Sequence, residues 1–389
     1  MSFLFVKRFI ALLLSCIVLF WPCVVMNTQA IDMAAEESMN FDCESAILME
    51  ANTGTILYEF NADKALPPAS VTKIMTLLLV MEEIEKGNLK YSDLITTSAY
   101  AASMGGSQVF LKEGEQMTVE DMIKSVVIAS ANDAAVALAE HICGSEQIFV
   151  QRMNDKAKEL GMNNTYFENT NGLDDTANYH LISARDIAIM SRELIKHEEI
   201  LKYSSIWMDS IRDGEFILTN TNRLVRFYQG ATGLKTGSTA KAKFCVSATA
   251  KRDNMHLICV VMGAPSSKTR NEIATQLLNW GFSNYELYYD ESLVLSPIKV
   301  SGGVEDKCHI YVEKYGCVVK KGSSSHVKKT YNIPDKLTAP IEVNSEIGRI
   351  SYYLNGDLIG ESIVKSSESI EKIDFWGLLL RILSKFLLK

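Results

Sequence analysis

The chain has 389 residues, 47% hydrophobic and 22% charged, with a formal net charge of −8. That length exceeds one average domain, so two or more are expected, and the composition is that of a folded, soluble protein. The acidic balance and the lack of any lysine- or arginine-rich stripe exclude a nucleic-acid binder.

Residues 1–30 stand apart. Lys7 and Arg8 precede an apolar run from Phe9 to Phe20, and the segment ends Thr28-Gln29-Ala30. A basic start, an apolar middle and a small-residue end predict a secretory signal peptide cut after Ala30. The competing reading is an uncleaved anchor, for which the run is short. Six cysteines follow Ala30. Export permits disulfides, and Cys308 and Cys317 lie close enough in sequence to bridge; free buried cysteines are the other open reading. There is no C-x-x-C and no histidine spacing suited to a metal, so neither metal nor cofactor is expected.

From Ser45 to Phe60 the pattern is strand, turn, strand, across Asn52-Thr53-Gly54. Pro67-Pro68 then lead into Ala69-Ser70-Val71-Thr72-Lys73-Ile74-Met75 and a long apolar stretch closing at Gly87, which predicts a helix from near Ser70. Ser103 to Gln108 is a glycine-containing loop. Thr118, with Asp121 three residues on, caps a helix that runs into a break at Ser130-Ala131-Asn132-Asp133. Further helices are predicted from Ala134 to His141, from Ser145 to Leu160 and from Ser183 to Lys196.

Beyond residue 215 the pattern turns to strands: Phe216 to Leu218, then Lys243 to Ala250 paired with His256 to Met262. An amphipathic helix follows from Ser267 to Trp280. Residues 31–288 thus read as an α+β domain, an antiparallel sheet with a block of helices. Residues 289–365 read as a small all-β domain, expected to be a sandwich. Residues 366–389 read as an amphipathic helix with Ile373, Trp376, Leu379, Leu380, Leu383, Phe386 and Leu387 on one face and Arg381, Lys385 and Lys389 on the other. Such a helix suits the membrane interface, the alternative being packing on the β domain or a partner.

The chemistry centres on Ser70 and Lys73. Three residues apart on a helix, they share a face. Ser-x-x-Lys also occurs at Ser238, Ser296, Ser325, Ser362 and Ser369, but only Ser70 opens a long apolar helix. Ser130-x-Asn132 sits at a helix break where side chains can enter a cleft. Lys235-Thr236-Gly237 occurs once, before a strand, where glycine would let a ligand approach the backbone.

The three elements in this order resemble the penicillin-recognising serine enzymes, and among them the low-molecular-mass D-alanyl-D-alanine carboxypeptidases. Pro67 to Met75, Ala102 to Ser107, Asn171-Gly172-Leu173, Ser183 to Asp186 and Val261 to Ala264 add to the likeness. So do the β domain and tail, so the likeness covers nearly the whole mature chain. It extends to the Gram-positive branch with its sporulation-associated members.

The resemblance implies a β-lactamase/transpeptidase-like fold and a Ser70 acyl-enzyme formed on peptidoglycan stem pentapeptides, with β-lactams as inhibitors. Lys73 would be the base. Its pKa must fall from about 10.4 towards 7, roughly 4 kcal/mol, helped by Lys235 and completed by burial. Ser130 would relay a proton to the departing D-alanine, between Lys73 and Lys235. Asn132 would bind the substrate's peptide amide, and Lys235 and Thr236 its carboxylate. The backbone N–H groups of Ser70 and Ser238 would form the oxyanion hole. Many relatives carry histidine where this chain has Ser238, a change that should tune a backbone donor without disabling it. The implied location is the outer face of the cytoplasmic membrane.

Two rival functions remain. A class A β-lactamase needs Glu-x-x-Leu-Asn, whereas the corresponding region reads Glu168-Asn169-Thr170-Asn171-Gly172. A non-catalytic penicillin-binding sensor would not need every motif residue, and all are present.

Overall fold

The computed structural model describes residue 39 and residues 41–174, 178–291 and 295–387, without the side chains at 385 and 386. The expected signal segment, residues 1–30, lies outside the described residues.

The first hairpin forms strands β1 (Ser45–Glu50) and β2 (Ile56–Phe60). The helical block comprises α1 (Lys73–Glu85), α2 (Val119–Val127), α3 (Asn132–Cys143), α4 (Glu146–Glu159) and α5 (Ala184–Leu194). Helix α1 is buried throughout Ile74 to Met81, as a central helix should be, and is apolar there except for Thr76, whose hydroxyl donates to Thr170 O at 2.6 Å. It ends as expected at Gly87, whose φ is +76°. There Gly87 N–H bonds Ile84 O and Asn88 N–H bonds Glu83 O, which satisfies the last carbonyls. Thr118, Ser145 and Ser183 cap α2, α4 and α5 through their hydroxyls.

Three later strands, β3 (Ala231–Thr239), β4 (Lys243–Arg252) and β5 (Met255–Ala264), complete an antiparallel sheet of order β2-β1-β5-β4-β3. The central strands β1 and β5 are buried along their whole length. Alternation sends Leu48 and Leu257 to one face, where Gly281 of α6 (Ser267–Asn284) lies against them. Ile47, Met49, Ile258 and Val260 enter the core of the helical block on the other face. Strand β3 is left at the sheet edge.

The sequence reading places Lys235-Thr236-Gly237 before a strand, whereas the motif lies within β3, and it misses several short elements, among them the pair Leu94–Thr96 with Gln116–Thr118 and the two that follow. Met208–Ile211 is a strand paired with Phe216–Thr219, and Glu199–Ser204 is a short helix. Neither stretch has a clear apolar period, so tertiary packing decides both.

Tyr285–Asp290 straddles the boundary expected at 288 and pairs with Tyr315–Lys320. Beyond it, a three-stranded and a four-stranded sheet share a core containing Ile298, Val300, Cys308, Ile350, Tyr352 and Val364. The six described cysteines are free. Cys308 pairs with Ile298 and Cys317 with Tyr288, in different sheets, so the bridge considered from sequence is absent.

The tail also departs from expectation. Ser366 ends a strand, Ile370 is buried against Ile341, and Lys372 bridges Gly303. Burial of Ile370 in the β core overrides the helical period there. The helix α7 runs Phe375–Leu387 and begins where Asp374 Oδ1 accepts the Gly377 N–H at 2.7 Å. Arg381 ties it to Asp306 at 2.9 Å and to the Val304 carbonyl.

Candidate active site

Ser70 lies on a 3₁₀ turn, Ala69–Thr72, that leads directly into α1. Ala69 has φ +50°, a left-handed conformation that costs a non-glycine residue about 1 kcal/mol. Three contacts hold it. Thr72 Oγ1 donates to the Ala69 carbonyl at 2.8 Å. His180 Nε2 lies 2.8 Å from Thr72 Oγ1, and His180 Nδ1 accepts the Glu168 N–H at 3.0 Å. Because the single Thr72 hydroxyl proton goes to Ala69, His180 must donate from Nε2 and is therefore neutral. Burial, partly opposed by Glu168, pushes its pKa down to about 4. Finally Gly172, φ +84°, packs so closely that a Cβ there would fall onto the Ala69 carbonyl oxygen.

The opposite wall is β3. A Cβ on Gly237 would stand 2.8 Å from both Pro68 O and Ser70 N. At this position the absence of a Cβ admits the protein's own nucleophile turn.

Lys73 Nζ reaches Ser70 Oγ at 2.9 Å, Asn132 Oδ1 at 2.6 Å and the Asn171 carbonyl at 2.9 Å. The last two groups only accept. A neutral amine would give them its two protons and turn its lone pair to the Ser70 hydroxyl. Burial, then the Lys235 charge, holds the Lys73 pKa well below the ordinary lysine value, against an opposing pull from Asp133. Burial is thus the larger of the two effects named from sequence.

Lys235 Nζ donates to Ser130 Oγ at 2.8 Å and to the Thr236 carbonyl at 3.0 Å. Burial, then Arg270, lowers its pKa to about 7. Ser130 sits at the break before α3 with φ +63°. It is bonded by Lys235 and not by Lys73, so the relay expected between the two lysines is made on one side only. Asn132 also donates through Nδ2 to Gly105 O at 2.7 Å, leaving one amide proton free. Thr236 Oγ1 bonds Thr221 Oγ1 at 2.7 Å. Ser238 is exposed at the open end of this edge.

The nearby carboxylates are occupied elsewhere. Glu168 accepts the Tyr179 N–H, Glu146 bonds Thr170 and Tyr100, and Asp133 bonds the N–H groups of Val109, Leu111 and Ala134. Among the described residues none hydrogen-bonds Ser70 or Lys73. From the Glu168–Gly172 stretch it is a backbone carbonyl, Asn171 O, and not a carboxylate that reaches Lys73. Sequence reasoning missed His180, Thr221 and Arg270, because each comes from a distant loop or helix with no motif of its own.

A family model described as D-alanyl-D-alanine carboxypeptidase matches residues 31–266, and one described as the C-terminal domain of penicillin-binding protein 5 matches residues 282–372. The chain is 45% identical over 347 residues to the D-alanyl-D-alanine carboxypeptidase DacF of Bacillus subtilis, covering 87% of this chain and 89% of that protein. Penicillin-binding protein 5 from Haemophilus influenzae superposes with a TM-score of 0.75 at 32% identity, over 86% of this chain and 98% of that one. Penicillin-binding protein D2 from Listeria monocytogenes, solved in its ampicillin-bound form, superposes with a TM-score of 0.55 at 31% identity, over 63% of this chain and 99% of that one.

Proposed function

The chain belongs to the D-alanyl-D-alanine carboxypeptidase family, and from that premise we propose what each residue does in the reaction. It is a serine-type D-Ala-D-Ala carboxypeptidase of the penicillin-binding group. The three contacts of the buried Lys73 Nζ, with Ser70, Asn132 and Asn171, carry the reading of the site. Ser70 attacks the carbonyl between the two terminal D-alanines, and its proton passes to Lys73 Nζ. The N–H groups of Ser70 and Ser238 receive the oxyanion, a contribution of about 10²–10³ in rate per donor.

As the C–N bond breaks, Ser130 gives its proton to the departing amine and takes back from Lys73 the proton that came from Ser70, so that Lys73 is neutral again, while Lys235 keeps its charge and holds the Ser130 hydroxyl. Asn132 directs its free amide proton to the carbonyl of the preceding peptide. Lys235 and Thr236 hold the terminal carboxylate, with Gly237 letting β3 close on the nucleophile turn. Water then attacks the ester carbonyl with Lys73 again as base. The substrate is the pentapeptide stem of peptidoglycan, and its trimming limits cross-linking. β-Lactams acylate the same serine.

Fluorescent penicillin should label the mature protein, and Ser70→Ala should abolish both labelling and D-alanine release from a muramyl pentapeptide. Labelling of the alanine variant would remove Ser70 from this role. Labelling without release by the parent enzyme would favour a sensor.

Members of the family act on the cell wall outside the cytoplasm. For this chain a cleaved signal at 1–30 supplies export, and α7 supplies attachment. Phe375, Trp376 and Leu380 of α7 are 71%, 68% and 66% exposed, while Arg381 faces the β domain. Among the described residues no helix is long and apolar enough to cross a membrane. The helix therefore suits the plane of the interface. Removing residues 375–389 should release the protein to the soluble fraction without touching the β core; unchanged fractionation would indicate packing instead.

A further inference from the structure

The carboxylate subsite just described contains a cation, Lys235, and a hydroxyl, Thr236. A second hydroxyl stands beside them, brought by a turn that belongs to none of the sequence motifs. Asn220-Thr221-Asn222 crosses next to β3. Asn220 Nδ2 donates to Ser204 O at 3.2 Å and Ile206 O at 2.7 Å, and its Oδ1 accepts the Asn222 N–H. Asn222 Nδ2 donates to Gly233 O at 2.8 Å and its Oδ1 accepts the Leu224 N–H. The Thr221 N–H bonds Ile128 O. Two buried asparagines and a backbone bond thus hold the turn. The Thr221 hydroxyl is not needed for that. It leaves the turn and meets Thr236 Oγ1 at 2.7 Å, on the exposed side of the pair.

We propose that Thr221 is a positioning residue of the carboxylate subsite, acting with Thr236 as a two-hydroxyl unit. The proposal rests on the reading that Lys235 and Thr236 receive the terminal carboxylate. Two hydroxyls joined by one hydrogen bond have one proton left to give. The substrate carboxylate accepts that proton, and the internal bond polarises it and aims it. Lys235 cannot replace this donor. Two of its three protons go to Ser130 and the Thr236 carbonyl, and the third supplies charge without the direction of a fixed hydroxyl.

The test is a cycle between residue and substrate. Release from an acyl-D-Ala-D-Ala peptide is compared with release from the same peptide ending in D-alaninamide, using the full mature chain. With the free carboxylate, Thr221→Val should lose about tenfold in kcat/KM, most of it in KM, as loss of one hydrogen bond to a charged group predicts. With the amide the loss should shrink to about twofold or less, because the charge that the hydroxyl serves is gone. Thr221→Ser should behave as the parent. Equal losses on both substrates, or no loss on either, would overturn the proposal. Thr236→Val separates the premise from the inference. If it is carboxylate-selective and Thr221→Val is not, Thr221 alone is misassigned. If neither is selective, the carboxylate lies elsewhere and both fall.

Discussion

Lysines are withdrawn from water in both parts of the chain, in opposite ways. In the peptidase part, Lys73 and Lys235 are 0% and 1% exposed, and neither forms an ion pair among the described residues. Burial drives both pKa values down. In the β part, Lys329 is partly buried, but its Nζ lies 2.7 Å from Asp290 Oδ1. Burial pushes Lys329 down, the Asp290 carboxylate pulls it up, and the net shift is upward. A paired lysine is a structural device whose charge is kept. A buried lysine surrounded by hydroxyls, an amide and carbonyls loses its proton readily, and that is what a base needs.

The largest effect should come from removing the unpaired base. Lys73→Met should slow acylation by fluorescent penicillin by at least about 10³-fold, because the Ser70 hydroxyl then has no acceptor for its proton. A loss below tenfold would mean that another group deprotonates Ser70. Next comes pH. Lys73 acts without its proton, so kcat/KM should rise as pH rises through its lowered pKa. Lys235 acts with its proton, so kcat/KM of the free enzyme should fall above about pH 7. Lys235→Arg should cost about 10- to 100-fold through altered geometry, yet move the alkaline limb well above 9, since guanidinium stays charged. An unmoved limb would assign that titration to another group.

A smaller effect is expected one layer behind the serine. His180→Ala leaves the Thr72 hydroxyl without its donor and frees the Ala69 turn. Acylation should fall about tenfold, carried by the acylation rate with little change in pre-acylation binding. Thr72→Val should do the same, and the double variant should be no worse than either single one, since both break one chain of bonds. Additive losses would mean that the two residues act separately.

These residues also mark how far the sequence could be read. Ser70 and Lys73 are legible because three residues on a helix are neighbours whatever the fold. Lys235-Thr236-Gly237 and Ser130-x-Asn132 are legible as short local patterns. His180 meets Thr72 across 108 positions, and Asn171 contributes a carbonyl that any residue would supply. Such contacts are made by packing of loops and leave no period or motif behind. The helix expected over 366–389 starts only at Phe375 for a related reason: the β core takes Ile370 first.

The paired lysine gives the smallest effect on catalysis and a sharp control. Asp290 is 7% exposed and accepts both Lys329 at 2.7 Å and Tyr352 Oη at 2.9 Å. Tyr352 stacks on Tyr315 at 3.9 Å in the β core. Lys329→Met would remove the cationic partner of the buried Asp290 carboxylate. That should destabilise the protein by about 1–2 kcal/mol, discounted because Lys329 is a quarter exposed. D-alanine release from a soluble peptide should be unchanged within about twofold, since Lys329 lies in the β part and touches nothing in the site. If release fell with stability intact, the β part would be coupled to the chemistry, and the division between a paired structural lysine and unpaired catalytic ones would fail.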